Sequence, residues 1–210
     1  MSDRKMIYLC LAHMSETGME QKYVKEAFDT NWVVPMGPNV NAFEADLADM
    51  ANSKSDNSEP LDRKVVCLSS GTSAVHLALI SCGVKAGDEV LVQSFTFCAS
   101  SHPITYLGAK PVFIDSEPDT WNMDPELLEK AIIERKEKTG KYPKAIIPVA
   151  LYGMPYDCER IMAIANKYGI PVIEDAAEGM GSRFDGQVLG TFGRFGVLSF
   201  NGNKMITTSG

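Results

Sequence analysis

The feature that most constrains this chain is an alternation that begins at Val65. Six short apolar runs are separated by longer helix-like stretches: VVCLSS (65–70), EVLVQSF (89–95), KPVFID (110–115), KAIIPVA (144–150), PVIEDA (171–176) and GVLSFN (196–201). The runs are rich in Val and Ile, nearly continuous in hydrophobicity and bounded by Gly, Pro and Asp. That is the pattern of strands buried on both faces. Stretches 72–83, 97–107, 124–138 and 157–168 are the predicted helices between them. Strand alternating with helix predicts an α/β, three-layer α-β-α domain around a mostly parallel sheet.

Helix ends are marked by their residues. Asp124-Pro125-Glu126 supplies a cap, a proline at the first helical position and an acid in the first turn. Gly83 and Gly169 stand where helices should stop. Ahead of the alternation, residues 18–30 and about 40–51 read as two further helices. Residues 51–64, ANSKSDNSEPLDRK, are polar, lack aromatics and contain Pro60, so they read as an exposed loop. The chain therefore divides into an N-terminal helical segment with its loop (1–64) and an α/β domain (65–210).

Composition narrows the class of function. The 210 residues carry a net charge of −7, which disfavours nucleic acid or an anionic membrane as the main partner. No stretch approaches the roughly 20 apolar residues of a membrane span, and the opening residues do not read as a secretory leader. The five cysteines are scattered without a CxxC pair, so they read as thiols of a reducing cytoplasm. The three histidines are scattered too, and no metal site is expected.

Three segments can carry chemistry. In SSGTSAVHLAL (69–79) a strand ends, Gly71, Thr72 and Ser73 follow, and a helix begins. A helix N-terminus offers free backbone N–H groups, a natural phosphate site, although a plain N-cap gives the same pattern. There is no G-x-x-x-x-G-K-[ST] loop and no G-x-G-x-x-G after the first strand. GTFGRFG (190–196) reads as a turn. In VIEDAAEGMGS (172–182), Asp175 ends a strand, where open α/β sheets place ligand-binding groups. Strand alternation sends Glu174 to the opposite face. In VLSFNGNK (197–204), Ser199 and Lys204 follow the last run.

Singly these residues are unremarkable; together they describe a pyridoxal 5'-phosphate (PLP) enzyme. Such chemistry needs a lysine amine to form a Schiff base with the cofactor. It needs an acid to hold the pyridinium nitrogen so that the ring can accept electrons, and N–H groups and hydroxyls for the phosphate. Phe97 is well placed to stack on the ring.

With these segments in hand, the chain resembles the DegT/DnrJ/EryC1/StrS family of sugar aminotransferases, of type I PLP fold. The matching segments are SSGTSAVHLAL, GDEVLVQSFTFCAS, GAKPVFID, DTWNMDPELLEKAI, IIPVALYGMP, VIEDAAEGMGS and GTFGRFGVLSFNGNKMITTSG, with EQKYVKEAFDTNWVVPMGPNVNAFE near the start. The resemblance implies that Lys204 is the Schiff-base lysine and proton shuttle and that Asp175 binds the pyridine nitrogen. Gly71, Thr72, Ser73 and Ser199 would hold the phosphate, with Phe97 on the ring. Glu178 falls where the family often has Gln or His, near the cofactor's phenolic oxygen. Trp32 and Gly37 lie in a segment that approaches an active site, often the partner subunit's, and Asn201 and Asn203 would touch substrate.

The implied reaction moves an amino group from glutamate to a nucleotide-linked keto sugar, by resemblance a UDP-linked 4-keto-6-deoxy sugar for surface polysaccharide or glycan synthesis, in a cytoplasmic homodimer. The family pattern continues past Gly210 into another strand, placed between the first and sixth, and a C-terminal domain. The chain is thus expected to be a large domain ending before both. The competing expectations are a non-catalytic PLP-binding or oligomerisation module and an α/β nucleotide-binding domain without PLP.

Overall fold

The computed structural model describes residues 6, 14–53 and 61–208. Two N-terminal helices, α1 (Met19–Asp29) and α2 (Pro38–Asn52), precede the α/β unit. No residue of α1 is buried, and α2 buries only Leu47 and Ala51. Half of the expected 51–64 loop, residues 54–60, lies outside the described residues, and Ala51 and Asn52 belong to α2.

The α/β unit runs α3 (Gly71–Ser81), β1 (Glu89–Gln93), α4 (His102–Tyr106), β2 (Lys110–Ile114), α5 (Pro125–Thr139), β3 (Ala145–Ile147), α6 (Cys158–Tyr168) and β4 (Ile173–Asp175). It then continues through β5 (Arg183–Phe184) and β6 (Gln187–Val188) to β7 (Phe195–Val197). Strands β2, β1 and β3 pair in parallel in that order, as do β4 and β7. Parallel bridges Ile146–Val172 and Val149–Asp175 join the two sets into one sheet.

Period-two alternation sorts the strand side chains between two cores. Leu91, Ile146 and Val172 face one core with Leu128 and Ile132 of α5 and Ile161 and Ala165 of α6. Val90, Val92, Ala145, Ile147 and Ile173 face the other with Val75 and Leu79 of α3 and Ile104 of α4. These are the three layers expected. Each fully buried aliphatic side chain contributes about 1.5–3 kcal/mol.

Local chemistry sets the boundaries. Asp124 accepts from the N–H groups of Glu126 and Leu127 to start α5, and Asp157 accepts from Arg160 N–H to start α6. Gly140 and Gly169 end those helices in the left-handed region. The expected helix over 97–107 is instead a 3₁₀ turn at Cys98–Ser100 followed by short α4. Pro103 lacks an N–H, so it can open a helix but cannot continue one.

The expected strand at 65–70 does not form. The segment alternates half-buried and exposed, Val66 is exposed, and no described strand lies alongside to take its backbone bonds. A side chain serves instead, with Cys67 N–H donating to Glu44 Oε1 at 2.7 Å. The last expected strand, 196–201, is ordered as strand only through Val197. The β5–β6 hairpin was not anticipated, although its Asp185-Gly186 turn, both residues at positive φ, is a standard two-residue hairpin signal.

Candidate active site

Because the main strands are parallel, their C-terminal ends open on one side, and the loops leaving them share one cavity. The cavity measures about 1150 Å³, and its lining includes Gly71, Thr72, Phe97, Asp175, Glu178, Ser199, Asn201, Asn203 and Lys204. Ser73 is not among the lining residues. Its N–H and hydroxyl meet the Ser70 hydroxyl at 3.2 and 3.0 Å, and Ser70 is the N-cap of α3. Gly71 faces Ser199: a Cβ built on Gly71 would sit 3.9 Å from Ser199 Oγ. The bare glycine thus leaves a small cup between the α3 N-terminus and the hydroxyl beyond β7, suited to a phosphate.

Asp175 closes β4 and is buried. Its carboxylate accepts from Ser100 Oγ at 2.5 Å and from Ala177 N–H at 3.2 Å. Burial pushes its pKa above the ordinary Asp value, even though Ser100, Ala177 and the Lys204 ammonium all pull the other way. Ser100 was not singled out in the sequence; only its place in a turn after a strand, among small residues, hinted at it.

Lys204 Nζ lies 3.2 Å from Glu178 Oε1, and the lysine side chain is only 15% exposed. Glu178 Oε2 accepts from Tyr152 N–H at 2.7 Å. Glu178 therefore links the amine to the turn after β3. Asn201 Nδ2 donates to Asn203 Oδ1 at 2.8 Å beside the lysine. Trp32 and Gly37 are not brought to this cavity. The Trp32 ring covers Gly37, where a Cβ would meet Trp32 Cε3 at 2.8 Å, and Trp32 borders a separate apolar hollow with Val24 and Phe28.

Glu174, one residue before Asp175, turns to the opposite face as expected. It accepts from Gly190 N–H at 3.0 Å and from the N–H groups of Phe192 and Gly193 at 2.6 Å each. It pins the turn that leads into β7, and hence Ser199. Among the described residues no cluster of His, Cys, Asp or Glu forms a metal site, and no helix is long and apolar enough to cross a membrane.

A lysine, a buried aspartate and a helix N-terminus gathered at the C-terminal ends of a parallel sheet define a type I PLP-aminotransferase fold. Comparison with known proteins makes this specific: the chain belongs to the DegT/DnrJ/EryC1/StrS aminotransferase family, whose model matches residues 14–210. It is 52% identical over 206 residues to EpsN of Bacillus subtilis (strain 168), described provisionally as a pyridoxal phosphate-dependent aminotransferase, covering 98% of this chain and 50% of that one. It is 38% identical over 203 residues to the GDP-perosamine synthase of Escherichia coli O157:H7, covering 97% and 51%. The structure of NtdA from Bacillus subtilis with bound cofactor PMP superposes with a TM-score of 0.76 at 31% identity, covering 92% of this chain and 40% of that one. The chain spans about half the length of the curated relatives it matches.

Proposed function

We propose that this chain forms the PLP-binding part of an aminotransferase that moves an amino group from glutamate to a nucleotide-linked keto sugar. The observation that carries the reading is the convergence of Lys204, Asp175 and the Gly71–Ser199 cup on one cavity. The family's cofactor is pyridoxal 5'-phosphate, and the lining fits it. The α3 N-terminus with Gly71, Thr72, Ser73 and Ser199 would hold the phosphate, Asp175 the ring nitrogen, and Phe97 would cover one ring face. Bound there, the cofactor supplies the electron sink for chemistry at the amino-bearing carbon.

The chain's own groups do the rest. Lys204 Nζ holds the cofactor and then carries the proton to and from the reacting carbon. Glu178 keeps that amine at the cavity wall. Asp175 keeps the ring nitrogen protonated. Phe97 excludes water from its side. We assign a UDP-linked 4-keto-6-deoxy sugar as acceptor, a homodimer as the working form, the cytoplasm as the compartment and glycan synthesis as the setting. These rest on family resemblance, and GDP-perosamine synthase as a relative supports a nucleotide-sugar acceptor.

The test is to load the chain with PLP, reduce it with borohydride and map the labelled peptide by mass. One pyridoxyl group on Lys204, absent from Lys204→Ala, is expected. In a separate, unreduced sample of the PLP-loaded chain, glutamate should release one equivalent of 2-oxoglutarate per bound cofactor. Label scattered over other lysines, or none, would sink the reading.

A further inference from the structure

We propose that Phe95, Trp121 and Tyr152 form an aromatic rim on the candidate site that stacks the base of a nucleotide-linked substrate. The inference rests on the nucleotide-sugar reading above and adds a binding surface to it. Phe95 and Tyr152 line the cavity that holds Lys204. The Trp121 ring stands edge-on to Phe95, with centroids 6.0 Å apart and planes at 64°. Core packing does not account for these rings. They belong to neither hydrophobic core, and Phe95, Trp121 and Tyr152 are 44%, 61% and 68% exposed.

The backbone beneath them is built to hold them. Three separate turns carry the three rings, and two fully buried amides, Gln93 and Asn122, tie those turns together. Gln93 Nε2 donates to Phe95 O at 3.0 Å and to Asn122 Oδ1 at 3.3 Å. Gln93 Oε1 accepts from the N–H groups of Met123 and Val149 at 2.8 and 3.3 Å. Asn122 Oδ1 also accepts from Leu151 N–H at 3.1 Å, and Asn122 Nδ2 donates to Met154 O at 3.0 Å. Buried amides are costly unless satisfied, and a satisfied network fixes geometry.

Two of the ring-bearing residues also sit where side chains rarely do. Trp121 has φ 63° and Tyr152 φ 53°. Such conformations are strained for residues with a side chain and persist only where the surroundings impose them. The imposing contacts here are Trp121 N–H to Glu117 O at 3.2 Å and Tyr152 N–H to Glu178 Oε2 at 2.7 Å. Glu178 also contacts Lys204, so the rim and the reactive amine share one anchor. A fixed, exposed aromatic surface contiguous with a polar reaction site suits a ligand whose far end is flat and apolar-faced. The base of a nucleotide-linked sugar has that form.

The chain has two tryptophans, Trp32 and Trp121, so Trp32→Phe leaves Trp121 as its own reporter. The experiment titrates that protein with UDP and GDP, with ribose 5-phosphate and glutamate as baseless controls, and follows Trp121 fluorescence. A saturable change with at least one nucleotide and none with the controls is expected. Loss of one stacked ring should weaken binding about 5- to 150-fold, equivalent to ~1–3 kcal/mol. Phe95→Leu and Tyr152→Asn test this, asparagine being tolerant of positive φ. A response shared by ribose 5-phosphate, or one unchanged in both variants, overturns the rim. Borohydride labelling of Lys204 in the same protein separates the two levels: labelling without a nucleotide response overturns the rim alone, and no labelling overturns the reading beneath it.

Discussion

Replacing Glu174 should damage the fold severely. It is 1% exposed and accepts three backbone N–H bonds from the turn spanning Gly190–Gly193. Glu174→Ala removes all three acceptors. The Gly193 N–H is buried, and those of Gly190 and Phe192 are half-buried. An orphaned buried donor costs about 1–3 kcal/mol. Water reaching the two half-buried donors trims the sum to about 3–6 kcal/mol by the same rule. For a domain this size that corresponds to a melting-temperature loss on the order of 10–20 °C. Glu174→Gln separates hydrogen bonding from volume. The amide oxygen, set at the Oε1 position, keeps the Phe192 and Gly193 bonds, but its NH₂ then confronts Gly190 N–H. One donor is lost rather than three, so the cost falls to about 1–3 kcal/mol. Urea unfolding followed by far-UV circular dichroism measures both variants. An alanine variant within about 1 kcal/mol of wild type, or glutamine as harmful as alanine, would refute the reasoning.

Further outcomes follow from other contacts. Gly196→Ala should give little folded protein on size-exclusion chromatography, because a Cβ there would overlap the Gly190 backbone; a normally eluting variant with native circular dichroism would contradict that. Burial holds the Asp175 pKa above its unfolded value. The stability it contributes is therefore complete below the ordinary Asp range, near about pH 4, and is lost as pH rises through the folded value. Asp175→Asn should flatten the fall in melting temperature above about pH 4, and identical slopes would disprove the linkage. Ser100→Ala removes the hydroxyl at 2.5 Å that lowers the Asp175 pKa, so the Asp175-dependent fall should move to higher pH. An unchanged pH profile would count against that hydrogen bond. Glu178→Gln keeps an acceptor for Tyr152 N–H while removing the ion pair with Lys204. It should alter the rate of borohydride-trappable PLP loading without lowering the melting temperature by more than about 1 kcal/mol equivalent; a large loss of stability would make Glu178 a structural anchor alone.

The layers were legible because they follow from periodicity. Runs such as EVLVQSF and KAIIPVA have side chains sorted to both faces, and both became central strands. VVCLSS also opens on an apolar run but forms no strand, since a strand is a property of a pair and composition cannot supply the partner. Gly71, Asp175, Ser199 and Lys204 were legible because order along the chain and strand ends bring them together. Ser100 and Glu174 were not read as functional partners. Their contacts depend on how a turn folds back, which no local pattern records. The Gln93–Asn122 network was hidden for a related reason: each amide looks like a surface residue until the turns around it close.

The Gly71–Ser199 cup joins the first helix of the α/β unit to the loop after its last strand. No short segment of the chain holds both halves. The cup therefore exists only after the most distant contacts in the unit have formed, and these are the slowest to be made. A ligand seated there binds the finished fold and not its precursors, so it adds stability as RT ln(1 + [L]/Kd). Cofactor supply during synthesis would then set how much of the chain survives proteolysis, apart from any role in turnover.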